Sequence, residues 1–341
     1  MSNTTTLTQR IGPVADPQLP RHPDVATWRM ATRDDIDAMH GVIAASDRVD
    51  HPSWTTPRED VADTFELTHI DHGQDTVLGF AADGMPVAVG SSFVHPSREV
   101  RMQIDLQGSV HPDWRRRGIG TALLAWQHER ALQQLSQSES TLPGEVRLHA
   151  AETQDDAVRL AERRGFHVDR WFASMQRDLA APVDQREAPE GITLVPYTAE
   201  RALDALEARN DAFRDHWGSL PSEPERWQKF VGGPFLRPEL STLALEGDRI
   251  VAFCLASVNE DDWESLGVSH AYIDLIGVVR SHRGRGLAPL VIARTLRAAA
   301  DTGLGAAVLD VDTESPTGAN SLYERLGFVT TERDQALVRR Y

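Results

Sequence analysis

Cysteine and lysine are almost missing from this 341-residue chain: Cys254 and Lys229 each stand alone. A single cysteine excludes an intramolecular disulfide and any cysteine-rich metal site. Its place in the apolar run 250–256 reads as a small buried core residue. Positive charge is also short, with 35 Lys+Arg against 51 Asp+Glu and a formal net charge of −16. That balance excludes the basic footprint of non-specific nucleic-acid binding. It suits solubility and the attraction of cationic small molecules. Apolar runs long enough to span a bilayer are lacking, and residues 1–21 hold no hydrophobic stretch of the signal type. The expectation is a cytoplasmic chain with no metal and no nucleic-acid or membrane partner, acting as a monomer or homodimer.

What the chain does have is length for two domains and 40% hydrophobic residues, enough for two cores. Residues 1–22 are polar and proline-containing and read as a flexible arm. The proline- and charge-rich stretch 181–190 reads as a linker between domains at 23–180 and 191–341. In the first domain, apolar alternation places strands at 28–32, 75–82, 85–94, 102–110 and 145–150. Helical spacing places helices at 36–45, 121–135 and 155–164. The order repeats in the second, with strands at 192–196, 242–246, 249–258, 271–279 and 306–312, and helices at 201–213, 225–231 and 318–326. Matching points lie roughly 165 residues apart, a domain-sized period. The chain reads as a tandem duplication of α+β (mixed α/β) class, each half a mixed, mostly antiparallel sheet flanked by helices.

One unit recurs. Residues 271–279 form an apolar strand, a turn Arg280-Ser-His-Arg-Gly-Arg-Gly-Leu-Ala288 follows, and a helix opens with Pro289 in its first turn. Glycines at a helix N-terminus let phosphate oxygens approach bare backbone N–H groups. The first half repeats this as Val110 followed by Arg115-Arg-Arg-Gly118-Ile-Gly120.

On these residues the chain resembles the GNAT superfamily of N-acetyltransferases, in tandem. The Gln/Arg-x-x-Gly-x-Gly/Ala signature reads Arg115, Arg116, Arg117, Gly118, Ile119, Gly120 in one half. In the other it reads Arg283, Gly284, Arg285, Gly286, Leu287, Ala288. Each half closes on Gly-Phe, at Gly165-Phe166 and Gly327-Phe328. The resemblance implies acetyl-CoA as cosubstrate, with its pyrophosphate on the signature amides. It also implies contacts to Val278 and Val279, or Val110, from the pantetheine arm, and a backbone N–H for the thioester oxygen. It further implies a tyrosine that protonates the leaving thiolate. Four residues before Gly327 stands Tyr323, while the same count from Gly165 gives Ala161. Asn320, a further expected CoA contact, aligns with Val158. The family often carries an asparagine before the last helix, where this chain has Ser315.

Asp274 lies on the central strand, where a carboxylate serves as base for the amine; the first half has Leu106 there. Tyr272 shares its strand face if the strand is regular. The expected acceptor is a primary amine on a small cationic molecule, with catalysis in the second half. His216 and Trp217, and His51 and Trp54 in the first half, stand where the family places its acceptor-side loop. The layout is distantly similar to that of the mycothiol synthase family, in which a glutamate often stands at the position of Tyr272. A CoA-binding pseudoenzyme and a protein N-acetyltransferase are the alternative readings.

Overall fold

Two compact units make up the chain, Met1–Arg170 with Asp334–Tyr341, and Trp171–Arg333. The computed structural model describes residues 5–50, 55–183, 186–214, 220–314 and 318–341. His51, Trp54, His216, Trp217 and Ser315 lie outside the described residues.

Unit 1 opens with the short helix α1 (Leu7–Ile11), β1 (Thr27–Met30), α2 (Ile36–Asp50), α3 (Arg58–Thr64) and α4 (His72–Asp75). Then come β2 (Thr76–Phe80), β3 (Pro86–Val94), β4 (Met102–Val110), α5 (Ile119–Ser136), β5 (Gly144–Ala151), α6 (Asp155–Glu162) and β6 (His167–Asp178). Strands β1 to β4 pair antiparallel in sequence order, and β4 pairs parallel with β5. Both sheet faces are covered, so the strands are apolar on both sides. Val77 and Val87 pack with Ile119, Leu123 and Trp126 of α5. Their neighbours Leu78 and Val89 pack with Ile36, Met39 and Val42 of α2.

Unit 2 follows the same order. It holds β7 (Ile192–Pro196), α7 (Ala202–Ala212), α8 (Pro224–Gly232), β8 (Thr242–Glu246), β9 (Arg249–Ser257), α9 (Asp262–Leu266) and β10 (His270–Val278). It continues with α10 (Leu287–Asp301), β11 (Ala306–Asp312), α11 (Ala319–Arg325) and β12 (Val329–Arg340). Strands β7 to β10 pair antiparallel in order, and β10 pairs parallel with β11. One apolar cluster joins α7, α8, α10 and α11 to this sheet.

The final strand of each half lies in the other unit. Residues 172–178 of β6 pair antiparallel with β11, and residues 334–340 of β12 pair antiparallel with β5. Met175 is fully buried in unit 2, as are Ala336, Leu337 and Val338 in unit 1. The compact units are therefore cut at 170 and 333, away from the composition-based linker at 181–190. Neither strand was expected from the sequence.

Residues 5–22, expected as a free arm, are tied to unit 1. Leu7 is fully buried beside Leu135 and Leu337, and its N–H donates to Ser140 O at 2.8 Å. Arg10 donates to Leu142 O and to Tyr341 O.

Tyr341 also meets the buried His128 of α5, Oη to Nε2 at 2.6 Å. Burial, with Arg339 and Arg164 nearby, holds the imidazole neutral by lowering its pKa from 6.5 to about 4. The unfolded chain then takes up a proton that the fold refuses, so stability should fall as pH drops from 6.5 towards 4. The full shift corresponds to roughly 3 kcal/mol. His128→Gln should flatten this stretch of the stability–pH curve in urea titrations. Parallel curves for the two proteins would refute it.

Candidate active site

The parallel pairing of β10 and β11 covers only residues 270–272 against 306–308. Beyond it, residues 273–278 and 309–312 run on without pairing each other, and the strands splay. Val279 N–H donates to Val251 O on β9 at 3.0 Å. Strand alternation therefore turns the N–H of Val278 to the other edge, into the splay. Val278 is partly exposed, and an amide turned away from its strand partner is left to meet another acceptor.

Past Val278 and Val279 the chain makes one turn at Arg280–His282 and enters the loop of Arg283, Gly284, Arg285 and Gly286. Gly284 and Gly286 have φ of 76° and 75°, the left-handed region in which glycine alone is unstrained. Gly286 caps α10, whose first residues are Leu287, buried, and Ala288. A Cβ on Gly284 or Gly286 would meet nothing within 4 Å, so the space above the amides is open. Arg283 donates to Ala212 O at 2.8 Å. Arg285 and His282 share Glu246, at 3.1 and 3.0 Å. The loop is held from beneath and free above.

Asp274 is the extra residue of a bulge, since the β9 register shifts between Ile273 and Leu275. The strand is thus not regular here, yet the bulge brings the Asp274 carboxylate to Ser257, whose Oγ–H donates to it at 2.7 Å. Ser257 is the cross-strand partner of Tyr272. Both residues therefore border Ser257 despite the broken alternation.

Tyr323 of α11 is buried at 8% exposure and meets Phe328 edge-on at 6.0 Å between ring centres. Its hydroxyl has no hydrogen-bond partner among the described residues. Burial raises its pKa well above 10, with the Cys254 thiol adding to the effect. Cys254 is fully buried, as the sequence implied. Burial pushes its thiol up to about 12; a Thr295 hydrogen bond opposes this and Asp274 reinforces it. The buried thiol is therefore too poor an acid to act as nucleophile. One turn before Tyr323, Asn320 leaves its Oδ1 without a partner.

Unit 1 repeats the backbone and fills the space. Strands β4 and β5 pair only over residues 102–105 against 144–147 before splaying. His111 N–H donates to Val87 O at 2.9 Å, turning the Val110 N–H into the splay. Gly118 caps α5, which begins at Ile119 and Gly120, with φ of 93°. At the place of Gly284, however, stands Arg116, with φ of 62°, a costly conformation for a side chain with a Cβ. Arg116 is tied to Asp156 of α6 at 2.5 Å. Arg115 is committed to Asp50, Ser46 and Val110 O, at 2.6 to 3.0 Å. His22 Nε2–H donates to Arg117 O at 2.8 Å, and a Cβ on Gly118 would lie 3.4 Å from that nitrogen. Val158, Leu160 and Ala161 pack into the apolar core. Leu160 and Val110 reach within 4 Å of a Cβ on Gly120.

Sequence reasoning missed Ser257, which orients Asp274, and the His22 cover, which is 95 residues away from Arg117. Among the described residues no helix is long and apolar enough to cross a membrane. Nor is any group of three His, Cys, Asp or Glu arranged for a metal ion.

Comparison with known proteins fits this geometry. The acetyltransferase (GNAT) family matches residues 202–328, and a GNAT acetyltransferase domain matches residues 75–168. The mycothiol acetyltransferase of Salinispora arenicola is 34% identical over 231 residues, 64% of this chain and 68% of that protein. That of a Parafrankia species is 27% identical over 323 residues, 86% of this chain and 91% of its own. A GCN5-related N-acetyltransferase from Sphaerobacter thermophilus superposes with TM-score 0.68 at 28% identity, over 92% and 95% of the two chains. A tandem GNAT protein from the clavulanic acid biosynthesis pathway shares the fold, with TM-score 0.66 at 15% identity, over 92% and 98%.

Proposed function

Because the chain belongs to the acetyltransferase (GNAT) family, whose members use acetyl-CoA, and is an N-acyltransferase, we propose that its acetyl transfer takes place in unit 2. The acceptor is the primary amine of a small cationic molecule. The observation that carries this reading is the contrast between the two glycine loops. In unit 2 the space over Gly286 is open, while in unit 1 the matching space holds His22.

Each residue then has a role. Amides of residues 283–288 and the α10 N-terminus hold the pyrophosphate. Asn320 Oδ1 accepts an N–H from the pantetheine arm. The Val278 N–H points where negative charge grows on the thioester oxygen as the amine attacks, and a fixed donor there stabilises that charge. Tyr323, kept protonated by burial, gives its proton to the departing thiolate. Asp274 or a water receives the proton lost by the amine. Unit 1, with its loop covered and Ala161 in place of the tyrosine, is a structural partner that leaves the chain with one CoA site.

Purified protein with acetyl-CoA, a thiol-detecting reagent and a library of amines tests the reading. The library includes the amine precursor of mycothiol, since relatives carry that name. Turnover with an amine supports it; CoA binding with no transfer to any amine or protein favours a pseudoenzyme. Calorimetry should give one CoA per chain, and none detectable for Gly286→Val. Valine at φ 75° places a branched side chain where phosphate must sit, in space that is otherwise open. A stoichiometry of two, or retained affinity in the folded variant, would remove the assignment.

A further inference from the structure

Asp310 is part of a polar group on one face of the unit 2 sheet that the roles above leave unused. It lies two residues past Val308, where the pairing of β11 with β10 stops, and so stands in the splayed stretch. Tyr272 Oη donates to its Oδ2 at 2.7 Å. Ser174, its cross-strand partner on β6, donates to its Oδ1. Tyr272 in turn pairs with Ser257, which holds Asp274. Two carboxylates on neighbouring strands are thus each oriented by hydroxyl groups.

Three buried carboxylates elsewhere in the chain are neutralised by arginine: Asp35 by Arg29, Asp50 by Arg115 and Asp75 by Arg130. Asp310 is exposed, and among the described residues no cation lies within ion-pair distance of it. A carboxylate offers about four lone-pair positions, and two hydroxyls leave half of them for a ligand. Alternation puts Asp312 on the same strand face. Asp312 is 2% exposed, and its Oδ2 has no partner. This side of the splay is therefore lined by negative oxygen whose compensating charge is not supplied by the described residues.

We propose that Asp310 determines the charge specificity of the acceptor. It receives the acceptor's ammonium group on entry, while Tyr272 and Ser174 act as positioning residues that fix its carboxylate. The proton leaves the nitrogen only afterwards, to Asp274 or water. This rests on unit 2 being the site of transfer.

The test uses the full chain with saturating acetyl-CoA. Spermidine, D-glucosamine and L-lysinamide serve as cationic acceptors, and p-anisidine, uncharged at neutral pH, as the control. Asp310→Asn should raise KM about tenfold for the cationic acceptors that wild type uses, with kcat and CoA affinity little changed. KM for p-anisidine should move less than about twofold. Tyr272→Phe and Ser174→Ala should raise KM in the same direction by less, again without lowering kcat. An Asp310→Asn protein that binds CoA normally and keeps its KM for cationic amines overturns the proposal. So does an equal loss for p-anisidine, or use of p-anisidine alone by wild type. Wild type that binds CoA but acetylates none of these and no other amine of the library, the amine precursor of mycothiol included, overturns the underlying reading of unit 2 and this proposal with it.

Discussion

Tyr323→Phe should lower kcat by about 10²–10⁴-fold while leaving CoA affinity and the fold unchanged. The ring stays, with its edge-on contact to Phe328. Removing the hydroxyl orphans nothing, because it has no partner among the described residues. Only the proton for the departing thiolate is lost. The pH profile offers an independent check. Burial raises the phenol above its ordinary value of 10, so the acid stays loaded throughout the physiological range. Wild-type kcat should therefore show no descending limb from Tyr323 below about pH 10. Single-turnover kinetics across pH would measure both. A loss near twofold, or a limb near pH 8 abolished by Tyr323→Phe, would assign the proton to another group.

Deleting residues 334–341 should unfold unit 1, although these residues lie far from it in sequence. They form seven cross-strand pairs with β5 and bury Ala336, Leu337 and Val338 completely. Tyr341 closes the strand with backbone bonds to Gly144 at 2.9 and 3.1 Å. Burial of the three side chains alone is worth roughly 4–7 kcal/mol, a large part of the 5–15 kcal/mol that usually separates folded from unfolded domains. Hydrogen exchange should show protection lost in β4 and β5. A deletion variant with wild-type protection in those strands would show that β12 is dispensable to unit 1.

Much of this was legible in the sequence because the informative residues act locally. Glycines 284 and 286 are needed where φ is positive, and the apolar periods of β9, β10 and α10 follow from their burial. Tyr323 was reached by counting from Gly327, a position fixed by the turn that ends α11. The two exchanged strands were illegible for a physical reason. Residues 329–335 alternate weakly because most of them are exposed, and only 335–338 are buried in succession. Which sheet receives such a strand is decided by pairing over distances that no local pattern records. Ser174 was missed with its strand, and Asp310 looked like any exposed aspartate without it. His22 and Arg116 show the same limit, since a cover and a strained loop leave no periodic trace.

The exchange of strands also sets a clock on synthesis. Unit 1 emerges from the ribosome first, yet its sheet lacks a strand until residues 334–341 exist. Translation of the intervening 171–333 takes on the order of 10–30 s at 5–20 residues per second. During that interval β5 presents an open edge able to pair with other chains. A gene encoding either half alone would make that interval permanent.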